Sequence, residues 1–564
     1  MSVNRNSWKL GQLMQRMGAG AIAALSVTFS TATPAHAAEE IRVFYGLLGI
    51  SLQIDSLERY AETGEIDRQL GFYLSRVDEE KQGLFRLALT ETRDDLDPLP
   101  LYRFFNTPTG EALLTQVGTL VNIPGGINGI HALRAAIVGA ALSDEGLTLL
   151  NALRRFPTDI EIDAKGLFKA ADRVELLAKG TEFAVNVMRD LSQAEAAAGP
   201  SVDFDTLPDI RQDGDRGVVA DKVVLRDESR DREFYVLTYR PQRWRNGETP
   251  VVVMSHGLAS NPESFDRHAR FLASHGYFVA VPQHPGSDSI QAQALLGGYS
   301  RVVYELNEFI DRPADVSFVL DELERRNASE FGGRLNLERV AAFGHSFGGY
   351  TVLALGGATI NFDQLDIDCG PSFGPNVSLL LQCRALDLPR EEYDFRDPRI
   401  AAVAALNPVM GVILGRTGLE KVQTPVVIFS GSYDPATPAA LEQISTFSFF
   451  PETVPSYLGL IEGQAHVDLS EVDAGVAEAI EAAPFVTLPS PDLLDNYTHS
   501  MSLAFLEVHL LDNQGFLSYL SSAYATYISQ SPKKLLWISD ASAAALDEAT
   551  VHFQEEFGTI QNEQ

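Results

Sequence analysis

The run from Val340 to Phe343 is an unbroken apolar stretch that passes through Gly344-His345-Ser346-Phe347-Gly348 into a small-residue segment, Thr351 to Gly357, that suits a helix. A strand, a sharp turn and a helix with serine at the turn is a demanding arrangement. The serine must take a strained backbone conformation that lifts its Oγ above the sheet, and side chains two positions either side would collide, which accounts for Gly344 and Gly348. Five-residue patterns of this kind also occur by accident, so the surrounding chain has to supply the context.

That context is an alternation of strands and helices from about Arg216 onward. Lys222 to Arg226, Glu233 to Tyr239 and Pro250 to Ser255 read as strands, followed by a helix over 262–274, a strand over 277–282, a helix over 301–327 and the strand ending at His345. Further strands are expected at Ile400 to Leu406, Pro425 to Gly431 and Tyr457 to Glu462. Buried strands alternating with crossover helices predict an α/β fold: a mostly parallel sheet covered on both faces, with ligands bound beyond the carboxyl ends of the strands. Before it, residues 38–180 show apolar positions at helical spacing (Leu113, Leu114, Val117, Leu120, Val121) and predict a mainly helical N-terminal domain. Residues 181–214, with Ala-Ala-Ala-Gly-Pro near the middle, are expected to connect it to a catalytic domain over 215–540 that carries an insert at 358–398.

A serine hydroxyl needs a base to take its proton and an acid to hold that base in one tautomer. The base is expected at His466, in the loop after the Tyr457 strand. Asp434 leaves the end of the preceding strand and completes the order Ser346, Asp434, His466. Asp363, Asp366, Asp368 and Asp387 fall in the insert and are weaker alternatives, and Asp434 can also be read as a cap before Pro435. The negative oxygen of a tetrahedral intermediate calls for main-chain N–H donors, expected from Phe347 at the start of its helix and from Leu258 after His256-Gly257. The side chains of Leu258 and Phe347 are expected to line the pocket, and His345 to point away from the serine.

Ser255-His256-Gly257-Leu258, Leu272-Ala273-Ser274-His275-Gly276-Tyr277 and Gly344-His345-Ser346-Phe347-Gly348-Gly349 together resemble the α/β-hydrolases of the platelet-activating factor acetylhydrolase group and related bacterial polyester hydrolases. The likeness covers roughly residues 215–530. The N-terminal region resembles an uncharacterised domain found ahead of such hydrolases, which implies no activity. In the acetylhydrolase group the acid follows the strand after the nucleophile helix, but here that strand ends in Asn407-Pro408, so the acid is placed at Asp434, as in the polyester and dienelactone hydrolases. The resemblance implies a serine esterase acting on short- or medium-chain lipid-like esters, including acetyl esters of phospholipid type, with no cofactor and no metal. A general lipase or polyester hydrolase with the same three residues is one alternative. A non-catalytic binding protein of the same fold is another.

Composition narrows the setting. Arg5, Lys9 and Arg16, the apolar stretch Met17 to Phe29 and Ala35-His36-Ala37 read as a secretory signal over residues 1–37, implying a periplasmic or secreted protein; a membrane anchor is the alternative reading. Cleavage there removes three positive charges and no negative one, moving the net charge from -32 to -35. So acidic a chain repels phosphate backbones and anionic lipid headgroups, which argues against nucleic acid as a partner and makes any lipid substrate neutral or zwitterionic; the expected partner is the ester or lipid small-molecule substrate, with no stable membrane insertion. Cys369 and Cys383 are expected to pair in an oxidising compartment, or to remain as two buried thiols. The insert that holds them is expected to form a lid beside the active site.

Overall fold

The computed structural model describes residues 37–45, 48–75, 77–93, 96–370, 374–466 and 489–559. Apart from Ala37, the expected leader lies outside them. Two units divide the chain, one of residues up to 94 with Val121–Ala164, the other of residues 95–120 and 165–564.

The smaller unit contains five described helices and a sheet ordered β2-β1-β5-β3-β4, from strands β1 (Glu40–Tyr45), β2 (Leu48–Gln53), β3 (Val121–Ile123), β4 (Ile127–Asn128) and β5 (Ile160–Asp163). Its core gathers Ile41, Leu52, Leu57, Leu70, Leu89, Phe156 and Ile160. Helical content agrees with the expectation for this region, whereas the sheet is additional. Strands of two to six residues are too short to leave a period in the sequence.

The larger unit is built on nine strands: β6 (Val218–Asp227), β7 (Arg232–Pro241), β8 (Thr249–Ser255), β9 (Phe278–Pro282), β10 (Leu335–His345), β11 (Ile400–Leu406), β12 (Val426–Gly431), β13 (Ser456–Ile461) and β14 (Leu535–Ser539). They are ordered β14-β13-β12-β11-β10-β8-β9-β7-β6. From β9 to β13 every pairing is parallel, and antiparallel strands close both edges. The central strands carry apolar runs, such as Val251–Met254 in β8 and Val340–Phe343 in β10, because both of their faces are covered there. In β8, Val251 and Val253 face one core with Phe309, Phe347 and Tyr350. Val252 and Met254 face the other, with Leu272, Met501 and Phe505. Burying each such side chain is worth about 1.5–3 kcal/mol.

Two features of this frame place the site. From β8 the chain crosses to β9 on one side, and then returns to form β10 on the other. The order therefore reverses at β8 and β10, and the crevice outside their carboxyl ends is where ligands bind in such sheets. Behind it runs the helix Glu308–Glu330, with Pro313 inside. Proline supplies no N–H to the carbonyl four residues back, and that Phe309 oxygen instead accepts from the Tyr350 hydroxyl at 3.0 Å. This contact ties the long helix to the helix Phe347–Leu355.

Residues 95–120 belong to the larger unit, where the helix Pro98–Phe105 packs against the helix Ser289–Gly297. Likewise 181–198, expected as connection, form the second half of one helix, Ala164–Ala198. Alanines favour that continuation, and Gly199-Pro200 ends it.

Candidate active site

Ser346 lies between β10 and the helix Phe347–Leu355 with φ 56° and ψ −116°, a positive φ that a non-glycine residue holds only when its surroundings enforce it. The enforcement is visible. Its N–H donates to the Leu406 carbonyl at 2.9 Å, and its own carbonyl accepts from Gly349 at 2.9 Å and Val409 at 3.2 Å. A Cβ on Gly344 would stand 2.1 Å from the Gly348 oxygen, and one on Gly348 would stand 1.9 Å from the Ser255 oxygen. The elbow has no room for either.

From the loop after β13, His466 reaches the same point. Its Nε2 lies 2.8 Å from Ser346 Oγ and its Nδ1 2.8 Å from Asp434 Oδ2. A carboxylate only accepts, so the ring proton sits on Nδ1 and Nε2 is left to accept from the serine hydroxyl. Asp434, in the loop after β12, is held in turn: Oδ1 accepts from the N–H groups of Ala436 and Thr437, each at 2.9 Å, and Oδ2 from the Thr437 hydroxyl at 2.7 Å. Along the Ser346 hydroxyl, the His466 imidazole and the Asp434 carboxylate a proton can leave Oγ for the ring while negative charge faces the far nitrogen. All three residues anticipated from sequence thus meet at the strand ends.

Leu258 and Phe347 flank Ser346 on the other side. Among the described residues no acceptor is bonded to the main-chain N–H of either. Gly257 is needed in this approach, since a Cβ there would lie 3.3 Å from Ser346 Cβ and 3.0 Å from His345 Nδ1. Leu258 lines the cavity as expected, but the Phe347 side chain does not. It is wholly buried among Tyr304, Phe309 and Tyr350, because the first residue of this helix turns its side chain down into the core when its N–H faces the crevice.

Two residues near the site were given no part in it from sequence. His345 does not simply point away: it lines the same cavity, and its Nε2 donates to the His466 carbonyl at 2.7 Å. Burial pushes its ring down to about 4, so it is neutral. Asn407, at the end of β11 with φ 39°, donates through Nδ2 to the carbonyls of Ala465 at 3.2 Å and His466 at 3.3 Å, and its Oδ1 accepts from the Gly431 N–H at 3.0 Å. Neither role has a local sequence signal, because the partner loop lies about sixty residues or more away.

The cavity over Ser346 holds about 200 Å³ and is walled by Leu258, Phe265, His268, Leu406, Leu494 and Thr498, among others. No described residue of 358–398 lines it. The insert carries a disulfide between Cys369 and Cys383 and is anchored elsewhere, on buried Glu442: Oε1 accepts from Asn376, Ser378 and Gln382, and Oε2 from the N–H groups of Met410 and Gly411. Its Gln364 and Asp368 border a larger cavity of about 490 Å³ that includes none of Ser346, Asp434 and His466. Size alone would favour that second cavity, but it lacks the convergent groups of the first. Among the described residues no group of three His, Cys, Asp or Glu could hold a metal ion, and no helix is long and apolar enough to cross a membrane.

Residues 37–163 match a family model described as an alpha/beta hydrolase of unknown function (DUF1400). No curated protein matches the chain. Together with the nine-stranded sheet, the family description supports an α/β-hydrolase fold. The matched segment ends well before Ser346, so it carries no information on the chemistry there.

Proposed function

We propose that this chain is an exported serine esterase. The observation that carries the reading is the unbroken relay from Ser346 Oγ through His466 to Asp434, set on an elbow whose strain the packing sustains. Oγ attacks the ester carbonyl while His466 Nε2 takes its proton. The carbonyl oxygen becomes an oxyanion and is received by the N–H groups of Leu258 and Phe347. Collapse expels the alcohol, protonated by His466, and leaves an acyl group on Ser346. Water, deprotonated by the same ring, then releases the acid. Asp434 holds Nδ1–H throughout and stabilises the imidazolium when it forms.

A cavity near 200 Å³ favours a short acyl group over a long fatty chain. An acetyl-type lipid ester, the substrate class of the acetylhydrolases that the motifs resemble, fits that limit better than a long-chain triglyceride. Export is supported by the leader-like N-terminus and by the disulfide, which persists in oxidising compartments.

The test is hydrolysis of p-nitrophenyl esters of graded acyl length by the purified protein and its Ser346→Ala variant. Activity should peak at short chains, and the variant should lose at least about a thousandfold in kcat together with labelling by a fluorophosphonate. Equal labelling of both proteins would remove the assignment of Ser346.

A further inference from the structure

We infer that Arg312, buried behind the site and out of contact with Ser346, is the positioning residue that aims both oxyanion donors. The inference rests on the esterase reading above. Taking a guanidinium out of water costs several kcal/mol, and a carboxylate partner is the usual compensation. Arg312 is 0 % exposed, yet its nearest bonds are not to carboxylates. Nη1 donates to the His256 carbonyl at 2.6 Å, Nη2 to the Gly257 carbonyl at 3.3 Å and Nε to Ser287 Oγ at 2.8 Å. Glu308 stands 3.7 Å from Nε and is bonded more closely to Arg232, at 2.8 Å.

Those carbonyls belong to the loop that delivers Leu258. The Gly257 C=O and the Leu258 N–H are opposite edges of one planar peptide, so fixing the oxygen fixes the direction of the hydrogen. Gly257 O takes a second bond from His256 Nδ1 at 2.8 Å. His256 Nε2 accepts from the His284 N–H at 3.2 Å, which keeps the ring proton on Nδ1 for that bond. The other donor is anchored to the same group: the Arg312 guanidinium lies 4.4 Å from the centroid of the Phe347 ring. One cation therefore grips the peptide of the first donor and the side chain of the second.

A sealed network supports the strand end from which the loop springs. Ser255 Oγ lies 2.9 Å from His284 Nε2, and His284 Nδ1 lies 3.0 Å from Asp315 Oδ2. These are the residue types of the catalytic relay, but all three are wholly buried and cannot meet a substrate. Their effect is to hold Ser255 in place.

The experiment compares wild type with Arg312→Lys and with the double variant Arg312→Met/Glu308→Gln, which removes the guanidinium together with the acidic group beside it, so that Glu308 is not left facing an apolar side chain. Each folded protein is assayed for kcat and KM on a short ester, for its pH–rate midpoint, and for inhibition by a short-chain trifluoromethyl ketone. Addition of Oγ to that ketone places an oxyanion where the transition state develops one. We expect kcat to fall about 10- to 100-fold, with KM within about twofold and the pH midpoint unmoved, and the ketone inhibition constant to rise by the same factor as kcat falls. Full activity in a folded variant, or a fall in kcat with unchanged ketone inhibition, would overturn the role of Arg312. Wild type that fails to react with a fluorophosphonate would overturn the esterase reading itself, and this inference with it.

Discussion

Asp434 and Asn407 follow neighbouring strands, differ by one polar group and serve His466 at different atoms. Asp434 meets the ring at Nδ1, where a carboxylate holds the proton in place and, unlike an amide, has no N–H with which to favour the other tautomer. Asn407 meets the main chain, donating to the carbonyls of Ala465 and His466 and tying their loop to Gly431. Asp434→Asn should therefore lower kcat by on the order of 10⁴ through the wrong tautomer, with little loss of folding. Asn407→Ala should leave the tautomer intact and cost far less, about tenfold, by loosening the loop. Steady-state kinetics on both variants distinguishes these cases, and a reversal of the two effects would move the acid elsewhere. Ser346, Asp434 and His466 were legible in sequence because each stands at a strand end in a fixed chain order. The bracing roles of Asn407 and His345 were not, since a side chain that grips a distant carbonyl needs no motif.

At the scale of elements, the parallel strands were readable because a strand covered on both faces is an unbroken apolar run, as in β8, β11 and β12. Boundaries were less so: β10 begins at Leu335, ahead of the apolar run from Val340 and across an irregular register with β8, and the long helix begins at Glu308 rather than Arg301. The elbow shows why its pattern is stringent. Gly348→Ala would drive a methyl group into the Ser255 carbonyl, where neither backbone can move without displacing the sheet, and should destabilise by about 3 kcal/mol or more. Thermal unfolding of the variant reads this directly, and an unchanged midpoint would mean the elbow can open. The insert leads to a different expectation from a lid. Its cross-link closes a loop between residues 14 apart in sequence, and its anchor, Glu442, is not among the residues that line the Ser346 cavity. Replacing Cys369 and Cys383 by serine should then cost about 3 kcal/mol of stability. It should also leave the ratio of kcat/KM for acetate and longer esters unchanged, and a selective rise in KM for the longer ester would restore the lid.

A chain of net charge -32 stores neutral histidine in the interior of its larger unit. Burial lowers His268 to about 3, His345 and His509 to about 4, and drives His256, His284 and His499 well below the ordinary value of 6.5. In the unfolded chain these rings take up protons as pH falls through 6.5, whereas in the folded chain they do not. The unfolded state thus binds more protons in the window from 6.5 down to about 4, and stability, complete above 6.5, is lost as pH falls through it. Each fully unprotonated ring contributes a slope of up to about 1.4 kcal/mol per pH unit. Burial also lowers His275, whereas Glu308, raised to about 7 by burial despite Arg232 and Arg312, and the carboxyls of Asp315, Asp368 and Asp540, raised by burial as well, act in the opposite sense and offset part of the histidine slope. Urea unfolding at stepped pH should show stability dropping by several kcal/mol between pH 6.5 and 4.5. His268 isolates the cause: its ring packs 4.4 Å from the Phe343 ring and 4.6 Å from that of His499, and its buried Nε2 has no hydrogen-bond partner among the described residues. His268→Phe keeps the ring and removes the proton site, so it should flatten the slope by about one proton's worth, about 1.4 kcal/mol per pH unit, without loss of stability at pH 7. An identical slope in the variant would show that His268 takes up its proton without unfolding, and the acid lability would have to come from the carboxylates instead.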